Sequence, residues 1–350
     1  MSPHVLAILL FGLGLGTTIT FASSHWLLAW MGLEINTLAI LPLMAQHHHP
    51  RAVEATTKYF LVQATAAATL LFASTANAWY TGQWAINDMT ETIPSTMIIA
   101  ALALKLGLAP LHSWLPQVLQ GLDLTTGLIL STWQKIAPLI LLIQIQPDPA
   151  ILVVLGLLST LVGGWGGLNQ TQLRKILAYS SIAHLGWMVL ILQFAPSLTL
   201  LTLLIYFIMT STTFLMFKHN KALTINSLAL SWSKAPIITT LSPLILLSLG
   251  GLPPLTGFMP KWLILEELTK QDLPALATIT ALSALLSLYF YLRLSYAMAL
   301  TVSPNNLTGI APWRFHSSGP ALPLALMTIG TLCLLPLTPA ILAILAITSP

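Results

Sequence analysis

Three lysines, Lys105, Lys135 and Lys261, and one glutamate, Glu34, stand inside apolar stretches long enough to span a bilayer. Insertion scales put a charge at a helix centre at about 2.5 to 3.5 kcal/mol, and residues kept there at that cost mark ion or proton pathways. At a helical rise of about 1.5 Å per residue, all four lie about 14 to 18 Å from the nearer span end, close to one plane of a hydrocarbon core about 30 Å thick. Snorkelling does not account for them, because a lysine reaches only about 6 Å towards the interface. Their chemistry is proton exchange. An ionised Glu34 stabilises the Lys105 ammonium, and once that carboxylate is neutralised the lysine can pass its proton onward, so neighbouring groups titrate as a set.

The elements that must hold these groups are membrane helices. Of 350 residues, 56% are apolar and 6% charged, far from the roughly one-quarter charged of a soluble domain. Windows of about 20 residues give eleven spans, near 3–22, 25–45, 57–79, 94–118, 124–145, 149–169, 175–195, 197–217, 237–268, 274–298 and 321–346. The expected fold is an all-α polytopic membrane protein, one membrane domain over 1–350. The first span, with no cleavable signal ahead of it, is expected to be retained.

Basic residues divide unequally between the two ends of these spans. Arg51, Lys58, Arg174, Lys175, Lys218, Lys221, Lys234, Arg293 and Arg314 fall on the N-terminal side and only Lys270 on the other. Short basic loops stay on the side of insertion, so the N-terminus is expected inside and the C-terminus outside. The sequence pI of about 9.2 does not imply nucleic acid, because the cations are dispersed and form no basic stripe. The single Cys333 excludes a multi-thiolate iron-sulfur cluster and an internal disulfide on this chain.

Helix breakers accompany two of the lysines. The fourth span reads Lys105-Leu106-Gly107-Leu108-Ala109-Pro110-Leu111-His112 and the ninth Gly250-Gly251-Leu252-Pro253-Pro254, continuing to Gly257 and Pro260-Lys261. Proline removes a backbone donor and clashes with the preceding turn, which predicts discontinuous helices with carbonyls freed at membrane depth. Broken helices at matching positions of two halves point to the working site of an inverted-repeat transporter. Five spans separate them. The expected organisation is therefore two inverted five-helix repeats, 1–146 and 147–299, with a loop and extra helix over 300–350.

The runs LKLGLAPLHSWLP, LRKILAYSSIAHLGW (Leu173 to Trp187) and GLPPLTGFMPKW (Gly251 to Trp262) resemble the antiporter-like membrane subunits of respiratory complex I. The resemblance covers essentially the whole chain. Full-length members carry fourteen helices, and the eleven here match the shortened animal mitochondrial form, which lacks the first three. It implies a mitochondrial inner-membrane subunit of the proton-translocating NADH:ubiquinone reductase, with the N-terminus on the matrix side and the C-terminus on the intermembrane-space side. Other complex I membrane subunits, neighbouring antiporter-like subunits and lipids are its implied partners. NADH, FMN, iron-sulfur clusters and ubiquinone are implied to bind other subunits, leaving no cofactor here. At matching positions it assigns the relay to Glu34, Lys105, the connecting Lys135 and Lys261. His184, Ser131, Ser180 and Ser181 are candidate water-chain ligands. Two rivals remain at this stage: a stand-alone or multi-subunit cation/proton antiporter, and a structural spacer that moves no protons.

His112 and His184 lie within these runs, and each either carries protons or hydrogen-bonds inside the bundle. The run His47-His48-His49 reads as a solvated or interfacial loop, since it lacks a fourth metal ligand. Glu54 and Lys58 read as a surface i,i+4 pair, Asp123 as a helix N-cap, and Trp26, Trp79, Trp84 and Trp313 as interface anchors. No phosphate loop, Ser-His-Asp set or paired catalytic carboxylates occur in the sequence.

Overall fold

The computed structural model describes residues 2–46, 49–89, 91–145, 148–233, 235–300 and 321–348. His47, His48, Lys234, Trp313 and Arg314 lie outside the described residues. So does all but the first residue of the 300–320 loop. The described chain is helical throughout, its only β pairing being the isolated bridges His25–Ala85 and Gln172–Thr224.

Two compact units divide it, residues 1–155 and 156–350. The first holds α1 (Pro3–Ala22), α2 (Trp26–Met44), α3 (Pro50–Thr81), α4 (Thr92–Leu106), α5 (Trp114–Gly121), α6 (Leu124–Ser131) and α7 (Trp133–Ile145). The division falls within α8 (Pro149–Gly166). The second holds α9 (Leu173–Ile191), α10 (Pro196–Asn220), the short α11 (Ile225–Ala229), α12 (Pro236–Gly250), α13 (Phe258–Lys270), α14 (Pro274–Ala299), α15 (Ala321–Cys333) and α16 (Thr338–Thr348).

Among the described residues, seven helical segments are long and apolar enough to cross a bilayer: α1, α2, α3, α6 with α7, α8, α10 and α14. The bent α15–α16 pair makes an eighth. Eleven spans were expected, the fourth and ninth of them broken, and the smaller number of uninterrupted spans has local causes. α4 and α12 stop after 15 residues each at their breaks. α9 has the length, but Arg174, Lys175 and His184 dilute its apolar run. The last span is not straight: α15 and α16 meet at 67°, because Pro336 and Pro339 cannot donate to the preceding turn. α3 is longer than its expected 57–79. Its 32 residues rise about 48 Å, so the turns carrying the exposed Glu54–Lys58 pair (2.6 Å) extend beyond a core about 30 Å thick. Asp123 occupies the N-cap of α6 without a side-chain capping bond. Trp79 is 87% exposed as an anchor should be, whereas Trp26 is fully buried in its unit and Trp84 stacks on His25.

The two breaks are built alike. Shifted by 144 residues, Gly107–Gln117 (GLAPLHSWLPQ) superimposes without a gap on Gly251–Lys261 (GLPPLTGFMPK). Each first half-helix ends on a glycine in the left-handed region, Gly107 at φ 78° and Gly251 at φ 82°. The following leucine, Leu108 or Leu252, turns its N–H back to the carbonyl of Ala103 or Leu247. This is the Schellman closure, which requires a positive φ that L side chains resist.

Candidate functional site

The sequence-predicted residues fall into two centres, one in each unit. In the first, Lys105 sits in the last turn of α4, 6% exposed, and Lys135 on α7 is 2% exposed. Glu34 is partly buried on α2. It lies within electrostatic reach of Lys105 without hydrogen bonding to it, since Lys105 Nζ and Glu34 Oε2 each lack a partner. A small cavity of about 10 Å³, the space of roughly one water, adjoins Lys105 and is lined on its polar side by Asn36, Thr37, Gln63 and Gln134. Asn36 Oδ1 and Gln134 Nε2 are also unpartnered. Buried polar atoms ordinarily find a protein or water partner, so this cluster is chemically a hydration site for an ammonium.

His112 lies outside that cavity. It sits in the loop joining α4 to α5, partly buried, with an unpartnered Nδ1. The Leu104 carbonyl in this break accepts from the Trp114 indole at 3.1 Å as well as from the Gly107 N–H at 3.2 Å. Ser131 is buried at the end of α6 and donates to the Leu128 carbonyl.

In the second unit the lysine itself serves the break. Lys261 follows the turn and bends back so that Nζ donates to the Gly250 carbonyl at 2.7 Å. A cation there meets the negative end of the α12 dipole. Gly251 is what permits the approach, because a Cβ at that position would meet Lys261 Cδ at 2.9 Å. The two lysines thus reach equivalent half-helix ends from opposite sides of the break: Lys105 precedes its glycine and Lys261 follows its own. Lys261 is only partly buried. Its side chain lines an apolar groove of about 630 Å³ with Trp187, Trp262, Leu265 and Leu288.

On its inner side Lys261 shares a narrow gap with His184, Ser287 and Tyr291 that admits no water-sized sphere. His184 on α9 lies 5.5 Å, ring to ring, from Tyr206 on α10. Ser180 and Ser181, one turn before His184, are 1% exposed. Sequence reasoning missed Asn36, Gln63, Gln134, Tyr206 and Tyr291. The amides carried a faint signal as polar residues within apolar spans, and the tyrosines carried none, because aromatic residues in such spans read as packing.

Comparison with known proteins shows the family. The sequence profile described as NADH:quinone oxidoreductase/Mrp antiporter, TM, matches residues 23–287, and that described as NADH dehydrogenase subunit 2 C-terminus matches 288–342. NADH-ubiquinone oxidoreductase chain 2 of Tetraodon nigroviridis is 74% identical over 345 residues, covering 98% of this chain and 99% of its own. The Oncorhynchus mykiss protein of that name is 69% identical over 349 residues, covering 99% and 100%. A chain of respiratory complex I from Thermus thermophilus superimposes with a TM-score of 0.86 at 27% identity, over 98% of this chain and 80% of that one. The Mrp complex from Dietzia contains a chain of the same fold, TM-score 0.79 at 17% identity, over 94% and 74%. With broken helices, buried lysines and whole-length relatives in agreement, the chain belongs to the NADH:quinone oxidoreductase/Mrp antiporter family of membrane proteins.

Proposed function

We propose that this chain is a core membrane subunit of NADH:ubiquinone oxidoreductase, respiratory complex I, and moves protons across the mitochondrial inner membrane while ubiquinone is reduced elsewhere in the assembly. The observation that carries this reading is Lys105: a buried, unpartnered ammonium at the end of a broken helix, next to a polar cavity and within reach of Glu34. A structural spacer has no use for such a group.

In this mechanism Glu34 sets the charge state of Lys105, Lys135 carries the proton onward, and Lys261 with His184 serves the second unit. His112, in the α4–α5 loop, is a candidate entry or exit group. The chain binds no NADH, FMN, iron-sulfur cluster, ubiquinone or metal of its own. Its partners are the other complex I membrane subunits, antiporter-like neighbours among them, and lipid. The repeats are 1–146 and 147–299 in opposite orientation, with 300–350 added outside them, and the shared Gly107 and Gly251 turns support that division. The N-terminus faces the matrix and the C-terminus the intermembrane space. This orientation rests on the asymmetry of the basic residues, and it gains support from Arg293, whose guanidinium bonds the Leu168 carbonyl beside Arg174 and Lys175.

The test is Lys105→Ala in the assembled complex, sealed into vesicles. Protons moved per NADH oxidised should fall and coupled turnover should drop by about a hundredfold, the scale of losing a positioned acid–base group. Unchanged proton stoichiometry would remove Lys105 from the pathway.

A further inference from the structure

We propose that the Tyr291 hydroxyl carries a proton between Lys261 and His184. The proposal rests on the relay reading above and adds to it a residue and a route.

Tyr291 on α14 is 1% exposed, and its hydroxyl has no hydrogen-bond partner among the described residues. It lines the gap shared by Lys261, His184 and Ser287. Since no water fits there, a proton crossing the gap must travel on side-chain atoms. The serines cannot supply one, because Ser180 Oγ donates to the Leu177 carbonyl at 2.9 Å and Ser287 Oγ to the Ala284 carbonyl at 2.8 Å. Their hydrogens are committed to their own helices, and only their oxygens face inward as acceptors. The Tyr291 hydroxyl faces Ser180, and the Tyr206 hydroxyl faces Ser181. Of the two tyrosines beside His184, Tyr291 is the one that lines the gap with Lys261, and its hydroxyl has no partner there. Ser180 and His184 lie one turn apart on α9, and Ser287 and Tyr291 one turn apart on α14.

The step balances without another reactant. One N–H bond of the Lys261 ammonium breaks as an O–H bond forms on Tyr291. The original hydroxyl proton passes to the unprotonated nitrogen of His184. The lysine is left neutral, the histidine becomes imidazolium, and the tyrosine ends as the neutral phenol it was.

Tyr291→Phe removes one oxygen and keeps the ring. In assembled complex sealed into vesicles, coupled proton translocation should fall about tenfold or more, while native-gel migration and NADH oxidation by an artificial electron acceptor stay unchanged. Tyr289→Phe, exposed on the same helix and outside the route, should leave translocation unchanged. Normal translocation in Tyr291→Phe together with loss in Lys261→Met overturns the tyrosine route alone. Normal translocation in both overturns the relay reading itself. Should Tyr291→Phe fail to assemble, Ser180→Ala decides: it leaves Tyr291 in place but removes the serine oxygen its hydroxyl faces, so altered coupled turnover supports the route and unaltered turnover overturns it.

Discussion

At the scale of single residues, the decisive feature is how each lysine is held. Lys105 has no bonded partner, and Lys261 leans on a backbone carbonyl through the space left by Gly251. Gly107→Ala and Gly251→Ala therefore make an informative pair. Each places a Cβ in the left-handed region, at a cost of about 1 to 2 kcal/mol, so thermal unfolding should shift similarly in both. Only Gly251→Ala also displaces the Lys261 ammonium from the Gly250 carbonyl, so it alone should slow coupled proton translocation through that lysine. Equal translocation in the two variants would show that the Gly250 contact does not matter. The four charged groups were legible in the sequence, because a charge in an apolar run is conspicuous. Asn36, Gln134 and Tyr291 were not, because a neutral polar group gains meaning only from what stands across from it.

At the scale of elements, a broken helix must find donors for the carbonyls it frees, and the two units solve this differently. The first uses the Trp114 indole on Leu104, and the second uses Lys261 on Gly250. Trp114→Phe keeps an aromatic ring but removes the indole donor, leaving the Leu104 carbonyl with its Gly107 N–H alone. It should lower stability by about 0.5 to 1.5 kcal/mol, read as a lower unfolding temperature of the isolated complex. An unshifted transition would mean that the Gly107 bond is enough. Both breaks were readable from glycine and proline in the sequence. The bend between α15 and α16 was not. Pro336 and Pro339 sit in an uninterrupted apolar run, and hydropathy measures transfer from water without regard to chain direction.

At the scale of the whole molecule, family membership predicts assembly. On gentle solubilisation and native separation, the chain should comigrate with a very large NADH:ubiquinone reductase. Migration in a small assembly without NADH-oxidising activity would favour the cation/proton antiporter reading instead. By itself the sequence determined that this is a helical membrane protein, that two of its helices break, and that four ionisable groups stand inside apolar runs. Each of these follows from composition and local chain chemistry, which act within a few residues. Only the tertiary structure decided that Lys105 stands unpaired beside a one-water cavity, that Lys261 folds back onto α12, and that Tyr291 joins His184 at a gap too narrow for water. Those facts depend on which faces meet among α2, α3, α4 and α7 in one unit and among α9, α12, α13 and α14 in the other. In a chain apolar on nearly every face, hydrophobicity does not choose the packing face, and close fit between helices does.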